Sequence, residues 1–238
     1  MATVLRDLIL NDYPTSDGRP MAETDWHRVL MTALIQTLDS WYARDPMTYV
    51  SGNLLLFYVP GDKRRHVSPD VLVVKGVPKR RRPNYLMWQE GKGPDMVIEL
   101  TSSSTRAEDT KKKFLLYQDT MRVPEYFLFD PLGDYLDPAL RGYRRQRGKY
   151  TAICEVEGRL PSKVLDLHLE AAGEDLRLFN PASGQWLTTL DERAAEAEEG
   201  RSLAEAERDQ ERAARQQAEA ELARVRGELA RRQRGNSK

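Results

Sequence analysis

The sequence predicts an α/β (α+β) protein, with helices flanking a mixed β-sheet, followed by one long C-terminal helix. Three observations lead to this prediction. An amphipathic helical pattern near the N-terminus precedes several short strand-type runs, and a second helical pattern separates two strongly apolar runs. In addition, the composition changes abruptly near Thr188. We therefore divide the chain into a globular domain, residues 1–187, and a helical tail, residues 188–238.

The first half of the globular domain begins with a helix and continues with strands. Apolar residues recur at helical spacing over residues 24–41, and Thr24 or Asp25 is suited to cap this helix. Strand-type runs follow at residues 48–50, 54–59, 71–74 and 95–100. The last run is nearly all apolar, which is typical of a strand buried on both faces.

The second half begins with a crossover helix. Residues 102–105 and Asp109 indicate its start, and the helical pattern continues over residues 109–121. A buried strand at residues 123–129 ends at Asp130-Pro131, and a hairpin is predicted around Arg147-Gly148-Lys149, between the runs 143–144 and 150–154. A last short run, residues 165–169, precedes a turn at residues 180–184.

The tail is rich in Ala, Glu, Arg and Gln and lacks Pro and aromatic residues from Leu190 onward, so it favours a long solvated helix. Leu222, Val225 and Leu229 provide one stretch of apolar spacing, but the corresponding upstream positions are mostly Ala or charged. We therefore expect a weak coiled coil, with disorder beyond Arg232, and a homodimer formed through this helix.

Composition excludes several classes of protein. The 238 residues include 37 Lys+Arg and 37 Asp+Glu, so the neutral chain lacks the basic excess that by itself indicates nucleic-acid binding. No run approaches the roughly 18 apolar residues of a membrane span. The single cysteine, Cys154, excludes an internal disulfide and a zinc site built from thiolates. We expect a cytoplasmic protein without a membrane partner.

Two carboxylates and a lysine cluster carry the candidate chemistry. Asp70 opens the strand at residues 71–74, and Glu99 lies inside an otherwise apolar strand. Burying a carboxylate costs several kcal/mol unless it is paired or binds a metal. Two carboxylates at neighbouring strand ends suit Mg²⁺, and a lysine from the cluster at residues 111–113 is suited to stabilise developing charge.

The same residues carry a resemblance to a known family. Six short motifs occur in a fixed order: Pro69-Asp70, the run 98–102 (Ile-Glu-Leu-Thr-Ser), the run 104–106 (Ser-Thr-Arg), the spaced trio Asp109, Lys113 and Tyr117, the run 123–126 (Val-Pro-Glu-Tyr) and Asp130-Pro131. This ordered set resembles the Uma2 family of bacterial endonucleases, in the PD-(D/E)XK superfamily. The resemblance covers roughly residues 26–184. It implies a restriction-endonuclease-like fold and Mg²⁺-dependent hydrolysis of phosphodiester bonds in DNA, with Mn²⁺ as an alternative ion.

The resemblance also implies a role for each site residue. Asp70 and Glu99 take the two carboxylate positions and bind the metal, and the backbone carbonyl of Leu100 is a further ligand. The superfamily's usual lysine position is occupied by Thr101, so Lys113 on the following helix takes the catalytic lysine role. Lys111 and Lys112 are lesser candidates for that role, because they lie about 200° and 100° around the helix from Lys113.

Basic residues near this site are candidates for nucleic-acid contacts: Lys79, Arg80, Arg81, Arg82, Lys111 and Lys112. Each candidate also has a structural interpretation. Asp70 is equally a turn residue, Glu99 a buried ion-pair partner, and the lysines one solvated helix face. His27 is expected to be a packing or surface residue and Tyr117 a core residue, while Asp109 is expected to begin the crossover helix.

Three functions therefore remain open at the level of sequence. The first is a divalent-metal-dependent DNA endonuclease that uses Asp70, Glu99 and Lys113. The second is a catalytically inactive module of the same fold that binds nucleic acid or regulates a partner and assembles through its tail. The third is a helical interaction scaffold in which the tail is the functional part.

Overall fold

The structure is a computed structural model, which describes residues 13–16, 24–101 and 108–235. The chain divides into two compact units, residues 1–189 and 190–238, so the division falls two residues after the expected boundary. The described part of the first unit contains two helices, two π-helical segments and thirteen strands.

The elements of the first unit follow in chain order. The helices are α1 (Asp25–Trp41) and the short α2 (Met87–Glu90), and the π-helical segments are Glu108–Lys113 and Leu116–Thr120. The strands are β1 (Thr48–Ser51), β2 (Leu56–Phe57), β3 (His66–Val67), β4 (Val71–Lys75), β5 (Tyr85–Leu86), β6 (Met96–Leu100), β7 (Glu125–Phe129), β8 (Leu140–Gln146), β9 (Lys149–Ala152), β10 (Leu160–Ser162), β11 (Leu167–Ala172), β12 (Asp175–Asn180) and β13 (Gln185–Trp186).

A mixed six-stranded sheet forms the centre of the fold. Its strand order is β1-β4-β6-β7-β8-β9, with one parallel pair, β6 and β7, and antiparallel pairs elsewhere. The parallel pair requires a crossover connection, which contains the two π-helical segments. A four-stranded antiparallel sheet, β10 to β13, and a small three-stranded sheet, β3-β2-β5, complete the unit.

Apolar side chains cover the two faces of the central sheet with different partners. On one face, Val71, Ile98 and Phe127 pack with α1 and with leucines of the four-stranded sheet. On the other face, Leu72 and Val97 pack with residues of the crossover, among others. Because side chains alternate along a strand, Glu99 shares the second face with Val97, two residues earlier. The alternation therefore directs Glu99 toward the crossover.

Most elements of the first half agree with the sequence prediction. Helix α1 begins after Thr24, whose hydroxyl accepts a hydrogen bond from the His27 amide at 3.3 Å.

The predicted hairpin of the second half is also present. It joins β8 and β9 and turns at Arg147 and Gly148, which have φ values of 50° and 87°. Two consecutive positive φ angles are the signature of a type I′ turn, and the glycine adopts its angle without steric strain.

Three predictions differ from the structure. The run 54–59 forms a strand only at Leu56–Phe57, and the crossover is π-helical along most of its described length. The expected start of the crossover at residues 102–105 lies outside the described residues. The four-stranded sheet was represented in the prediction by a single run, residues 165–169, because its other strands are short and mix polar with apolar residues.

The second unit is one helix, α3 (Leu190–Gly235), 46 residues long. The described helix continues to Gly235, and the rest of the segment that was expected to be disordered, residues 236–238, lies outside the described residues; the Ala, Glu and Arg residues of the helix have high helical propensity. Intrahelical ion pairs at four-residue spacing, such as Arg215–Glu219 at 3.1 Å, contribute a few tenths of a kcal/mol each. In the part of the chain that is described, no helix has both the length and the apolar composition needed to cross a membrane.

Candidate active site

The register of β4 and β6 places Asp70 and Glu99 on one face of the central sheet. These strands are antiparallel, with Val71 opposite Ile98. The next pair in that register is Asp70 and Glu99, and residues directly opposite each other point to the same side of a sheet. The two candidate carboxylates therefore lie on adjacent strands, on the face that the crossover covers.

The Glu99 carboxylate is entirely buried. Its Oε1 atom accepts a hydrogen bond from the Tyr117 hydroxyl at 2.6 Å, and its Oε2 atom accepts one from the Lys113 ammonium at 2.9 Å. Both partners lie on the crossover, one in each π-helical segment. Two hydrogen bonds thus hold a fully desolvated carboxylate in a fixed orientation.

Lys113 contacts a second buried carboxylate. Its Nζ atom lies 2.9 Å from Oδ1 of Asp109, and both side chains are largely buried. This contact is not a well-aligned hydrogen bond, and Oδ1 of Asp109 has no hydrogen-bond partner. The four-residue spacing of Asp109, Lys113 and Tyr117 brings all three to one side of the crossover, and π-helical segments occur frequently at functional sites. The ammonium is therefore shared between two carboxylates.

The protonation equilibria of the site reflect its burial and its excess of negative charge. Burial raises the pKa of Glu99 to about 8; the neighbouring carboxylates of Asp70 and Asp109 add to the increase, and Lys113 opposes it. For Lys113, burial alone lowers the pKa, but the charges of Glu99, Asp109 and Asp70 outweigh burial and raise it. The lysine is therefore held in its charged form.

Asp70 is fixed by two contacts from different elements. Its Oδ2 atom accepts a hydrogen bond from the backbone amide of Leu100 at 2.7 Å, and its Oδ1 atom lies 3.1 Å from Nε2 of His27. The backbone at Gly52 lies close to the backbone of Asp70, and only glycine permits this approach, since a Cβ atom at position 52 would lie 1.9 Å from the carbonyl oxygen of Asp70. His27 and Gly52 are thus part of the site's framework.

Sequence reasoning did not assign His27, Tyr117 or Gly52 to the site. His27 was expected to be a packing or surface residue, but it lies in the first turn of α1 and contacts Asp70. Tyr117 is buried as expected, and its hydroxyl also binds Glu99. The regular spacing of Asp109, Lys113 and Tyr117 was the available signal for the tyrosine. The sequence contains no comparable signal for His27, because its contact joins elements 43 residues apart.

The basic cluster at residues 79–82 is largely occupied within the fold. Lys79 pairs with Asp39 at 2.8 Å and Arg80 with Glu90 at 2.9 Å. The Arg82 side chain is only 2% exposed; it also binds Glu90 and lies over the Tyr49 ring. The structure thus holds Arg82 inside the fold, although sequence placed it among the nucleic-acid contacts.

Four of the six basic candidates are exposed to solvent, and one of them, Arg80, also pairs with Glu90. Arg81 is exposed beside the buried Arg82, and Lys111 and Lys112 are exposed on the first π-helical segment. Lys113, the next residue, instead points into the site and is 16% exposed. The lysine run is therefore divided between a buried site residue and two solvated neighbours.

The donor set suits a hard divalent cation. Asp70, Glu99 and Asp109 supply carboxylate oxygens, and among the described residues Glu99 and Asp109 share a single cation, the Lys113 ammonium. Among residues 13–16, 24–101 and 108–235, no group of three or more His, Cys, Asp or Glu side chains is arranged to hold a metal ion. A cation bound by two carboxylates alone completes its shell with water and substrate, which is the usual mode of Mg²⁺.

Comparison with known proteins identifies the family. The sequence model of the Uma2 family, described as "Putative restriction endonuclease", matches residues 11–172. The chain belongs to the Uma2 family. Its membership confirms the resemblance found in the sequence, and the matched residues include Asp70, Glu99 and Lys113.

Similarity to other proteins is more distant. The crystal structure of a "putative nuclease belonging to DUF820" from Anabaena variabilis is 18% identical to this Uma2 protein, with a TM-score of 0.47. The similarity covers 67% of this chain and 87% of that one. No curated protein matches the chain.

Proposed function

We propose that this Uma2 protein is a divalent-metal-dependent endonuclease that hydrolyses phosphodiester bonds in DNA. The observation that carries the proposal is the arrangement of Asp70 and Glu99 on one face of adjacent strands, with the Lys113 ammonium 2.9 Å from Glu99. Two carboxylates and one lysine on the same face are the groups that this hydrolysis requires.

The metal site of this proposal consists of Asp70, Glu99 and the backbone carbonyl of Leu100. Mg²⁺ is the favoured ion because it binds through one or two carboxylates, and Mn²⁺ accepts the same oxygen ligands. Such an ion polarises a phosphoryl oxygen and lowers the pKa of an attacking water. Three carboxylates around one ammonium leave a net negative charge, which attracts a dication.

The side chains have distinct roles in this mechanism. Lys113 supplies a fixed positive charge for the negative charge that develops on the phosphate. Tyr117 and the Leu100 amide each donate a hydrogen bond to one of the two metal-binding carboxylates and orient it before the substrate arrives. His27 performs the same orienting role at Asp70, through a contact of 3.1 Å.

Contacts to the DNA backbone are proposed only for the exposed basic residues that are not paired with Glu90. Arg81, Lys111 and Lys112 have free solvent access, whereas Arg82 is committed to Glu90. Lysine and arginine contacts to phosphate supply affinity without reading the sequence. Replacing the two lysines by Gln should therefore weaken binding to all DNA sequences similarly and reduce its dependence on salt.

A nicking assay tests the proposal. Supercoiled plasmid is incubated with the protein and Mg²⁺ or Mn²⁺, and Asp70→Ala is compared with Glu174→Ala, which removes an exposed carboxylate from the turn between β11 and β12. Wild type and Glu174→Ala should nick the plasmid, and Asp70→Ala should be about 10²–10³-fold slower. Equal rates for wild type and Asp70→Ala would eliminate the assignment.

One observation favours a second candidate, a catalytically inactive module of the same fold. Every oxygen of the Asp70 and Glu99 carboxylates already has a protein partner: His27, the Leu100 amide, Tyr117 and Lys113. Calorimetric titration with Mn²⁺ distinguishes the two candidates. Binding that disappears in Asp70→Asn and Glu99→Gln supports the enzyme, and binding that is absent from wild type supports the inactive module.

A further inference from the structure

Charge is distributed unevenly along helix α3. Residues 190–211 carry nine carboxylates and three arginines, whereas residues 212–235 carry three carboxylates and seven arginines. The formal charge is therefore −6 over the first half of the helix and +4 over the second. The near neutrality of the whole tail conceals a helix with two oppositely charged halves.

The helix macrodipole does not account for this segregation. Acidic residues near the N-terminus and basic residues near the C-terminus stabilise a helix, but the effect is confined to the first and last turns. Here the acidic half extends over 22 residues, which corresponds to about 33 Å of helix. The charges in the middle of the helix need another explanation.

Helix α3 also carries an exposed apolar stripe. Leu190, Leu203, Leu222 and Val225 are 41%, 62%, 54% and 44% exposed. At 100° per residue these four side chains fall within an arc of about 140°, which also contains Ala214 and is interrupted by charged residues such as Glu207 and Glu211. An apolar stripe with small residues at its centre suits close packing against a second helix.

We propose that α3 pairs in antiparallel orientation with α3 of a second copy of this chain. A parallel pair places the acidic halves together and the basic halves together, which is repulsive. An antiparallel pair places each acidic half against the partner's basic half, so the same charges become attractive. This inference is independent of the proposed nuclease activity, because it uses only residues of α3.

Distances between spin labels on the full-length protein test the orientation. Labels are attached at Ala194→Cys or at Gln210→Cys, both in a Cys154→Ser background because Cys154 is exposed. In a fully overlapped antiparallel pair, the two labels at position 194 are about 55 Å apart along the axis, whereas the labels at position 210, near the centre, are within about 20 Å. In a parallel pair, both positions give short distances.

The outcomes separate clearly. A dimer by light scattering, with a long distance at position 194 and a short distance at position 210, supports the antiparallel pair. A short distance at position 194, or a monomer at concentrations up to about 100 μM, overturns it. A shift of one heptad changes the distance at position 194 by only about 10 Å, so an antiparallel pair remains distinguishable in any such register.

Charge reversal tests the physical cause. Arg224→Glu combined with Arg226→Glu should weaken dimerisation roughly 30-fold, since four positive charges in the dimer that lie along the partner's acidic half become negative. The control, Arg224→Lys combined with Arg226→Lys, should leave dimerisation unchanged. The charge reversal could instead lower the affinity of the protein for DNA and leave the molar mass of the dimer, measured by light scattering, unchanged. In that case the basic half of α3 binds nucleic acid and the proposal is wrong.

Discussion

Replacing Lys113 by Met removes the only cation in contact with Glu99 and Asp109 among the described residues. Met fills a similar volume without charge, so the change isolates the electrostatic contribution. The ammonium lies 2.9 Å from an oxygen of each carboxylate, and the lysine side chain is 16% exposed. Lys113→Arg is the matched control, because it keeps a positive charge at the same position.

The expected cost follows from the burial of the carboxylates that remain. Removing one partner of a buried ion pair typically costs about 3–5 kcal/mol. Glu99 can take up a proton to relieve part of this cost, since its pKa is already raised to about 8. We therefore expect Lys113→Met to lose about 3 kcal/mol of unfolding free energy at pH 7, and Lys113→Arg to lose about 1 kcal/mol.

Urea denaturation with and without Mg²⁺ measures this effect. The variant lacks the ammonium that competes with a metal ion for Glu99 and Asp109, so 10 mM Mg²⁺ should stabilise Lys113→Met more than it stabilises wild type. A loss below about 1 kcal/mol for Lys113→Met would refute the reasoning that this lysine neutralises both carboxylates. Equal stabilisation of Lys113→Met and wild type by Mg²⁺ would refute the reasoning that a divalent cation takes the place of the lost Lys113 ammonium.

Three further changes test other parts of the structure. Glu125→Ala removes a buried carboxylate that accepts four hydrogen bonds, including one from Arg144 at 2.7 Å, and should cost about 3–5 kcal/mol in urea denaturation; a loss under 1 kcal/mol contradicts this. Glu90→Gln tests a pH dependence. The hydrogen bond from Arg82 lowers the pKa of Glu90, so its stabilisation is present above pH 4.5 and is lost as pH falls through the lowered pKa; the variant should be about 2 kcal/mol less stable at pH 7, and its difference from wild type should shrink as pH falls below 4.5. His27→Ala removes the contact that orients Asp70 and should weaken Mn²⁺ binding 10–100-fold by calorimetry, and unchanged or tighter binding would exclude an orienting role.

Periodic and apolar segments were predictable from the sequence. Helix α1 has an amphipathic pattern and a capping Thr24, and strands β6 and β7 are apolar apart from one glutamate each. In each case one physical rule, burial of a face or of a whole strand, decides the local structure. The hairpin at Gly148 was predictable for a different reason, because a two-residue turn has its own chemistry.

The four-stranded sheet was not predictable in this way. Strand β12 alternates buried leucines at positions 176 and 178 with half-exposed residues, but it is only six residues long. Its neighbours β10 and β13 contain three and two residues. Pairing with β11 stabilises these strands, and pairing between short polar strands depends on tertiary contacts that a local pattern does not contain.

The carboxylates of the site were predictable individually, and their framework was not. Glu99 is conspicuous because a charge interrupts an apolar strand, and Asp70 because it opens the strand beside it. His27 and Gly52 contribute only after the chain folds, since each acts on Asp70 across a long separation in sequence. Sequence therefore indicates which groups carry chemistry and does not indicate which groups hold them in place.

Burial alone does not distinguish a candidate catalytic carboxylate from a structural one. Glu125 is as deeply buried as Glu99, but its charge is matched by one guanidinium, that of Arg144, and its remaining bonds come from Ser162 and backbone amides. The charge of Glu125 is therefore balanced and both of its carboxylate oxygens are hydrogen-bonded, and these bonds join the central sheet to β10.

Around Glu99 the charges do not balance, because the single ammonium of Lys113 is shared with Asp109 while Asp70 adds a third carboxylate nearby. Replacing such a cluster with apolar residues is generally neutral or stabilising, so stability does not explain its presence. Natural proteins break the rules of burial mainly where function requires it, and the unbalanced cluster at Glu99 meets that description whereas Glu125 does not.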